Sequence, residues 1–141
     1  MPLLEQVLEK YPTDVKLIYK NFPLRNHKHA KPAAIAAMAA DRQGRFWEFH
    51  DEIFLVYNQL NDAKFEEIAR KLNLDMERFQ RDLKDPAIVQ AVGSDVQEGF
   101  QAGVRGTPSI FVNGRRLKQR SMQGFQTIID SELAKRSQKA K

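Results

Sequence analysis

Most of the hydrophobic positions in this chain recur with helical spacing. Leucine and valine side chains repeat in this way within residues 2–10, between glutamate, glutamine and lysine, which predicts a short amphipathic helix from Pro2 to Lys10. A turn at residues 11–14 follows. The apolar stretch from Val15 to Tyr19 then predicts a β-strand.

The middle of the chain predicts a block of about five helices. Alanine, the strongest helix former, dominates Ala33 to Ala40. Aromatic side chains share one face of a predicted helix over residues 45–57. Three further helices begin at aspartates that can cap a helix N-terminus, Asp62, Asp75 and Asp85, and the last of these is followed by proline at the first helical position.

A β-hairpin and one more helix complete the pattern. Pro108 opens a β-branched and aromatic stretch, Ser109 to Val112, and proline can begin a strand although it has no N–H to donate. Asn113-Gly114 is a strong hairpin signal before a return strand near Arg115–Leu117, and Ser121 can cap the last helix. This order of elements predicts an α/β domain built on a small sheet.

Composition and charge are those of one soluble globular domain. The 141 residues are 42% hydrophobic and 29% charged, with a net charge of +5. A basic chain raises the question of nucleic-acid binding. However, no aromatic platform is interleaved with the local cluster Arg115, Arg116, Lys118 and Arg120. We therefore interpret that cluster as a solvated face and expect no nucleic-acid partner.

The sequence predicts neither a transmembrane helix nor a signal peptide, and it contains no cysteine. No run of about 18 apolar residues predicts a transmembrane helix. The first residues, Met1 to Glu5, have neither the basic region nor the apolar core of a signal peptide. The chain has no cysteine, which excludes disulfides, thiolate catalysis and sulfur-ligated metals within it.

Four stretches, taken in their order, resemble the DsbA-like thiol-disulfide oxidoreductases of the thioredoxin fold. They are Val15 to Leu24, which runs into an Asn-Phe-Pro-Leu turn; His27 to Ala34; Phe46-Trp47-Glu48-Phe49-His50-Asp51; and Ala102 to Pro108. The resemblance extends to about Lys135. It implies an α/β, truncated thioredoxin-like fold with a helical insertion between the first remaining strand and a C-terminal hairpin plus helix. The family's first strand and its Cys-x-x-Cys segment would precede Pro2, and both are missing here.

On this resemblance we expect residues 1–141 to form a single domain. Residues 1–24 would be the remnant of the first helix and strand, and residues 25–102 the helical insertion. Residues 103–136 would supply the cis-proline loop, the hairpin and the last helix, with a polar, frayed tail at 137–141.

The resemblance also implies a substrate-binding loop formed by Arg105, Thr107 and Pro108. In the family the bond before the matching proline is cis, so we expect a cis bond between Thr107 and Pro108. Such a turn would leave the backbone of Thr107 able to pair with an extended peptide. The alternative is that Gly106-Thr107-Pro108 is only a rigid turn. Without cysteine no catalytic residue is predicted, and no cofactor is implied.

No metal or cofactor site is predicted elsewhere. His27 and His29 lack an acidic neighbour, and residues two apart do not face each other on a helix. We interpret His27 as capping or packing at a helix start, and His50 as a structural or surface residue. Aromatic residues at helical spacing are far more often core than cofactor ligands. We therefore assign to the core Phe46, Trp47, Phe49, Phe54 and Tyr57.

Three functions remain open at this point. The first is thiol-disulfide exchange, which forms or isomerises disulfides in proteins. This chain cannot perform that exchange by itself, because it has no cysteine. The second is a cysteine-free module that binds a peptide or protein, and the third is an inactive fragment. The resemblance implies a bacterial protein of a mostly extracytoplasmic family, while the compartment of this chain stays open.

The missing strand further predicts self-association. In the family it would lie between Val15–Tyr19 and Ser109–Val112. Each buried backbone group left without a partner costs about 1–3 kcal/mol, against a total folding stability of about 5–15 kcal/mol. We expect a homodimer or higher oligomer through the incomplete sheet, in preference to direct pairing of the two remaining strands.

Overall fold

The computed structural model describes all 141 residues, as seven α-helices, one 3₁₀ turn and a two-stranded antiparallel sheet. The elements are α1 (Pro2–Lys10), α2 (Ala30–Asp41), α3 (Phe46–Leu55), a 3₁₀ turn (Tyr57–Gln59), α4 (Asp62–Lys71), α5 (Met76–Leu83), α6 (Pro86–Gln101), β1 (Phe111–Val112), β2 (Arg115–Arg116) and α7 (Met122–Lys139). They group into two compact units. We call residues 1–19 with 106–141 the hairpin unit, and residues 20–105 the helical unit.

The hairpin unit is held together by an apolar cluster between the two ends of the chain. Val7 and Tyr11 of the N-terminal segment are buried in one cluster with Phe125, Ile128 and Ile129 of α7. The Tyr11 hydroxyl donates a hydrogen bond of 2.7 Å to an Asp130 carboxylate oxygen. Burial and the neighbouring Asp130 carboxylate raise the pKa of Tyr11 to about 12. The phenol therefore stays protonated, and its hydrogen bond intact, at any physiological pH.

α7 begins as the sequence predicts but ends later. The Ser121 hydroxyl accepts from the Gly124 N–H at 3.1 Å, which caps the helix N-terminus. The helix then runs to Lys139, so residues 137–139, which we assigned to a frayed tail, are helical. Nothing in this segment stops a helix, because neither glycine nor proline occurs there.

The helical unit is organised around α2. Its small buried side chains allow α3, α4, α5 and α6 to approach it closely. These side chains are Ala33, Ala36, Ala37, Ala39 and Ala40. Phe49 of α3 and Phe79 of α5 fill the space beside them with ring centroids 5.7 Å apart. Alternation of very small and very large side chains gives this core its packing.

Helix boundaries follow local capping, with two differences from the sequence analysis. Asp75 and Asp85 cap α5 and α6 as predicted. At α4 the cap is Asn61, whose side-chain oxygen accepts from the Lys64 N–H at 2.8 Å, so the assignment of Asp62 was wrong by one residue. α2 starts at Ala30, ahead of Pro32, because a proline in the first turn lacks only an N–H that has no helical partner there.

The predicted strand at Val15–Tyr19 is not formed. Residues 15–24 are irregular, and the only sheet pairs β1 with β2. Val15 and Leu17 are nevertheless partly buried while Lys16 and Ile18 are exposed. The alternating pattern therefore reflects burial on one side, whereas a strand also needs a backbone partner to pair with. For the same reason β1 begins at Phe111 and not at Ser109.

None of the helices combines the length and the apolar composition needed to cross a membrane.

We expect this chain to self-associate in solution. Each strand of the sheet has one neighbour, which leaves outer edges for pairing between copies. In the 15–19 segment the apolar side chain of Ile18 is 66% exposed, so a second copy could bury it. Light scattering after gel filtration, at tens of micromolar, should give at least twice the chain mass of 16.3 kDa.

Two variants locate the contact. Ile18→Lys should shift the mass toward the monomer, because it replaces the exposed apolar side chain of the 15–19 segment with a charge that opposes burial against a second copy. Leu55→Lys adds the same charge at an apolar side chain of the helical unit that is 74% exposed, and should leave the mass unchanged. A well-folded monomer of the unmodified chain would contradict self-association.

Candidate functional site

The loop that carries the candidate site begins where α6 ends. Gly103 has a φ of +79°, and its N–H donates to the Phe100 carbonyl while the Val104 N–H donates to the Gly99 carbonyl at 2.8 Å. This pair of hydrogen bonds is a Schellman motif, which glycine favours because a positive φ costs it little. The motif ends the helix and leads directly into Arg105, the last residue of the helical unit.

The next turn, in the hairpin unit, presents Thr107 and Pro108 to solvent. The peptide bond between them is cis, the isomer that the resemblance implies. The Ser109 hydroxyl donates to the Gly106 carbonyl at 2.8 Å and closes the turn. The backbone N–H and C=O of Thr107 make no hydrogen bond within the chain. They are therefore available to a ligand.

The hairpin after this turn has the tight geometry predicted for Asn113-Gly114. Asn113 and Gly114 have φ values of +48° and +78°, the two positive values that a type I′ turn requires. This turn sets the register, in which Phe111 pairs with Arg116 and Val112 with Arg115. Pairing continues one step further through the Leu117 N–H and the Ile110 carbonyl, at 2.8 Å.

Adjacent side chains on β2 leave opposite faces of the hairpin. Arg115 lies against α7, where its guanidinium bonds a Glu132 carboxylate oxygen at 2.8 Å. Arg116 lies on the other face and donates to the Ser109 hydroxyl at 3.3 Å. One arginine thus fixes the hairpin to α7, and the other faces the turn at Pro108.

Glu132 is the anchor of the α7 side. It accepts hydrogen bonds from Lys135 at 2.9 Å, from Arg115 and from the Asn113 side chain. Lys135 first, and then Arg115 and Asn113, lower the pKa of Glu132 to about 2. The Glu132 carboxylate is therefore ionised at every physiological pH. Its hydrogen bonds hold the turn at Asn113 against α7.

A half-open cleft of about 330 Å³ lies beside the turn, within the hairpin unit. We call it the Pro108 cleft. It is lined by Pro108, Ser109, Ile110, Arg116, Leu117, Lys118 and Arg120. Leu117 is buried and Ile110 partly buried in the apolar cluster with α7, and no carboxylate is among the lining residues. A cleft of this kind suits an extended ligand with an acidic side chain.

The three residues predicted for the site fall into two groups. Thr107 and Pro108 are adjacent in the hairpin unit, and Pro108 lines the cleft. Arg105 belongs to the helical unit, is exposed, and borders a separate pocket of about 300 Å³ with Phe100, Gly103 and Val104. A role for Arg105 in peptide binding stays a prediction.

This arrangement of loop, hairpin and helix is shared with known proteins. A family model described as Thioredoxin matches residues 2–131. The chain belongs to the thioredoxin family. Its fold is α/β and thioredoxin-like, with α2–α6 inserted ahead of the C-terminal hairpin and α7.

One solved structure similar to this thioredoxin-family chain is a thioredoxin-like oxidoreductase from Silicibacter pomeroyi DSS-3. The TM-score is 0.80 at 25% sequence identity, over 95% of this chain and 77% of that one. A TM-score of 0.80 over 95% of this chain shows that the two proteins share the thioredoxin-like fold.

Curated relatives of this thioredoxin-family chain include Na(+)/H(+) antiporter NhaA 3 of Salinispora tropica, 38% identical over 116 residues, or 82% of this chain and 18% of that protein. Another is Na(+)/H(+) antiporter NhaA of Herminiimonas arsenicoxydans, 36% identical over 74% of this chain and 17% of that protein. The chain therefore spans less than a fifth of the length of the curated relatives it matches.

The aromatic helix of this thioredoxin-family chain is only partly core, which corrects the sequence analysis. Phe49 is fully buried and Phe46 partly so, but Trp47 is 41%, Phe54 60% and Tyr57 73% exposed. The helical face toward α2 is narrow: it takes Phe46 and Phe49, while Trp47 and Phe54 lie on a neighbouring face. α3 also ends at Leu55, so Tyr57 lies in the following 3₁₀ turn and outside the helical repeat.

The three histidines differ in burial and in position, and none of them belongs to a group of side chains placed to hold a metal ion. His50 is buried, with Nδ1 3.1 Å from an Asp51 carboxylate oxygen and its ring 4.7 Å from that of Phe54. His27 is exposed in a turn, so the prediction that it caps or packs at the helix start was wrong. The residue at the N-cap position of α2 is His29, whose side chain makes no capping hydrogen bond. No group of three or more histidine, aspartate or glutamate side chains is placed to hold a metal ion.

Sequence reasoning missed the cationic wall of the Pro108 cleft. Arg116, Lys118 and Arg120 are exposed, as the interpretation of a solvated face expects, but that interpretation did not place them at the cleft, which all three line. The available signal was their place directly after the hairpin, since the return strand must pass beside the residues that follow Pro108.

We expect the hairpin anchor to weaken in acid. Because the folded pKa of Glu132 is about 2 and its ordinary value is 4.5, its stabilisation is complete above pH 4.5 and is lost as the pH falls toward 2. Glu132→Gln should therefore lower the free energy of unfolding at pH 7, and the difference from the unmodified chain should shrink between pH 4.5 and 2. Urea unfolding at a series of pH values measures this.

Glu67→Gln is the matched control for the anchor. Glu67 is exposed and pairs only with Lys64, so its replacement should change the unfolding free energy little at any pH in this range. Equal effects of the two variants, or an effect of Glu132→Gln that does not change with pH, would show that Glu132 is not the anchor.

Proposed function

We propose that this chain is a thioredoxin-family domain of the DsbA type that binds extended polypeptide segments beside Thr107 and Pro108, without exchanging disulfides itself. The observation that carries the proposal is the unpaired backbone N–H and C=O of exposed Thr107 at the edge of the Pro108 cleft. A peptide added as a strand gains affinity from main-chain hydrogen bonds and selectivity from neighbouring pockets.

The surroundings of Thr107 favour an outside partner over an internal one. Pro108 has no N–H, so the chain's own hairpin cannot continue through it, and β1 begins only at Phe111. The Pro108 cleft, lined by Pro108, Ser109 and residues of the return strand, offers a place for one side chain of a bound segment. Backbone and pocket are thus next to each other, as strand addition requires.

Disulfide exchange needs a group that this chain does not contain. The reaction begins when a thiolate attacks a disulfide sulfur. The chain has four methionines and no cysteine, and a thioether has no proton to lose and forms no mixed disulfide. Binding and chemistry are therefore separable, and binding is the part that these residues support.

A second candidate is thiol-disulfide exchange by a longer protein that includes this chain. It is favoured by the likeness to a protein described as an oxidoreductase over 95% of this chain. An in-frame Cys-x-x-Cys codon pair upstream of the Met1 codon would support it. A stop codon close upstream would support the cysteine-free binding module.

Peptide binding is tested by NMR titration of the isotope-labelled chain with an uncharged, extended peptide of valine, threonine and serine. Amide shifts should change at Thr107, Ser109 and Ile110, while those of α4 stay fixed. Thr107→Pro, which removes one N–H, should weaken binding about three- to tenfold. Thr107→Ala keeps the backbone and should bind as the unmodified chain does. If the amides of 107–110 do not respond up to millimolar peptide, the proposal is wrong.

We also expect no disulfide reductase activity from this chain, because it has no thiolate to begin the exchange. Reduction of insulin by dithiothreitol should proceed at the rate seen without protein. A dithiol thioredoxin serves as the positive control, and acceleration by this chain above the protein-free rate would contradict the expectation.

A further inference from the structure

The net positive charge of the chain is confined to one unit. Residues 20–105 contain thirteen lysines and arginines and thirteen aspartates and glutamates. Residues 1–19 and 106–141 contain ten basic and five acidic residues, which accounts for the whole net charge of +5. The hairpin unit, which carries Thr107 and Pro108, is therefore the cationic part of the molecule.

Within that unit no acidic residue lines the Pro108 cleft. Glu132 is held by Arg115 and Lys135, and Asp130 accepts from Tyr11. Asp14 pairs with Arg136 at 3.7 Å. None of these carboxylates is among the residues that line the cleft. The cations at the cleft are thus left without local neutralisation by a carboxylate of the lining.

Two of the cations at the cleft have no ion-pair partner at all. Lys118 and Arg120 are exposed, line the cleft and make no salt bridge or side-chain hydrogen bond. Arg116, the third, donates to the Ser109 hydroxyl, which orients its guanidinium along the same wall. Three like charges in one concave surface concentrate a positive potential there.

We propose that the Pro108 cleft selects acidic polypeptide segments: an extended strand paired with Thr107 whose aspartate or glutamate side chains meet Lys118 and Arg120. This inference rests on the proposed peptide binding and adds the class of peptide. An acidic peptide meets cations that lack partners in the free protein, so no internal ion pair has to break on binding.

The lining of the cleft favours a peptide over the other common polyanions. Single-stranded nucleic acid is usually held by aromatic side chains that stack on its bases, and the cleft has none. A bilayer surface is flat, whereas the cations here line a concavity. Backbone groups at Thr107 also pair with a peptide backbone in a way that neither of the others offers.

The test uses three fluorescent twelve-residue peptides with the same valine and threonine framework, in which four positions are all glutamate, all glutamine or all lysine. Fluorescence anisotropy with the full 141-residue chain gives each dissociation constant at low and at physiological salt. The glutamate peptide should bind about five- to twentyfold more tightly than the glutamine peptide, and the difference should shrink as salt rises. The lysine peptide should bind most weakly.

Matched charge variants locate the preference. Lys118→Gln with Arg120→Gln should remove most of the preference, so that this variant binds the glutamate and glutamine peptides with nearly equal affinity. Lys139→Gln with Lys141→Gln removes the same charge from the C-terminal end of the chain, and should leave the preference intact. Circular dichroism of both double variants confirms that each is folded.

The outcomes separate this inference from the proposed function. Equal affinity for the glutamate and glutamine peptides overturns the acidic preference and leaves peptide binding standing. No binding of any peptide overturns both. A loss of preference in the Lys139 and Lys141 variant shows that overall charge, and not the cleft, is responsible. Tighter binding of an oligothymidine or of phosphatidylglycerol vesicles, lost with Lys118 and Arg120, would replace the peptide with that polyanion.

Discussion

The packing of α1 against α7 is the constraint on which the hairpin unit depends. Tyr11 and Asp130 are separated by 119 residues, and their hydrogen bond lies in a cluster with Val7, Phe125 and Ile129. Burial of this apolar surface, at about 25 cal/mol per Å², is the main force that joins the two ends of the chain. A short two-stranded hairpin is at best marginally stable alone in water. It persists here because Ile110, Val112 and Leu117 pack into the same cluster.

The register of that hairpin decides which charges reach the candidate site. The type I′ turn at Asn113-Gly114 places Arg115 toward Glu132 and Arg116 toward Ser109. A slip of one residue would exchange their faces, because side chains alternate along a strand. Arg116 would then lie against α7, and Arg115 would lie on the cleft side without its Glu132 partner. The turn residues therefore control the electrostatics of a surface that they do not themselves touch.

Features set by local chemistry could be predicted from the sequence, and features set by distant partners could not. The caps at Asp75, Asp85 and Ser121 and the turn at Asn113-Gly114 each depend on a few neighbouring residues. The strand at Val15–Tyr19 needed a backbone partner, which no local pattern reveals. Likewise Trp47 and Phe54 have helical spacing, but whether such a face is covered depends on which other helices pack there.

The same distinction applies to the candidate site. Thr107 and Pro108 could be found from their glycine-flanked loop and its resemblance to a known family, whereas Lys118 and Arg120 look like any solvated basic cluster until the hairpin places them beside Pro108. In a thioredoxin-type domain, the thiol chemistry and the recognition of a peptide use different atoms: a thiolate for the first, and backbone groups with a neighbouring pocket for the second. This chain has unpaired backbone groups at Thr107 beside the Pro108 cleft, and it has no thiolate. Main-chain hydrogen bonds do not depend on side-chain identity, so under the proposed peptide binding the charge of the cleft wall is the property most able to discriminate among peptides.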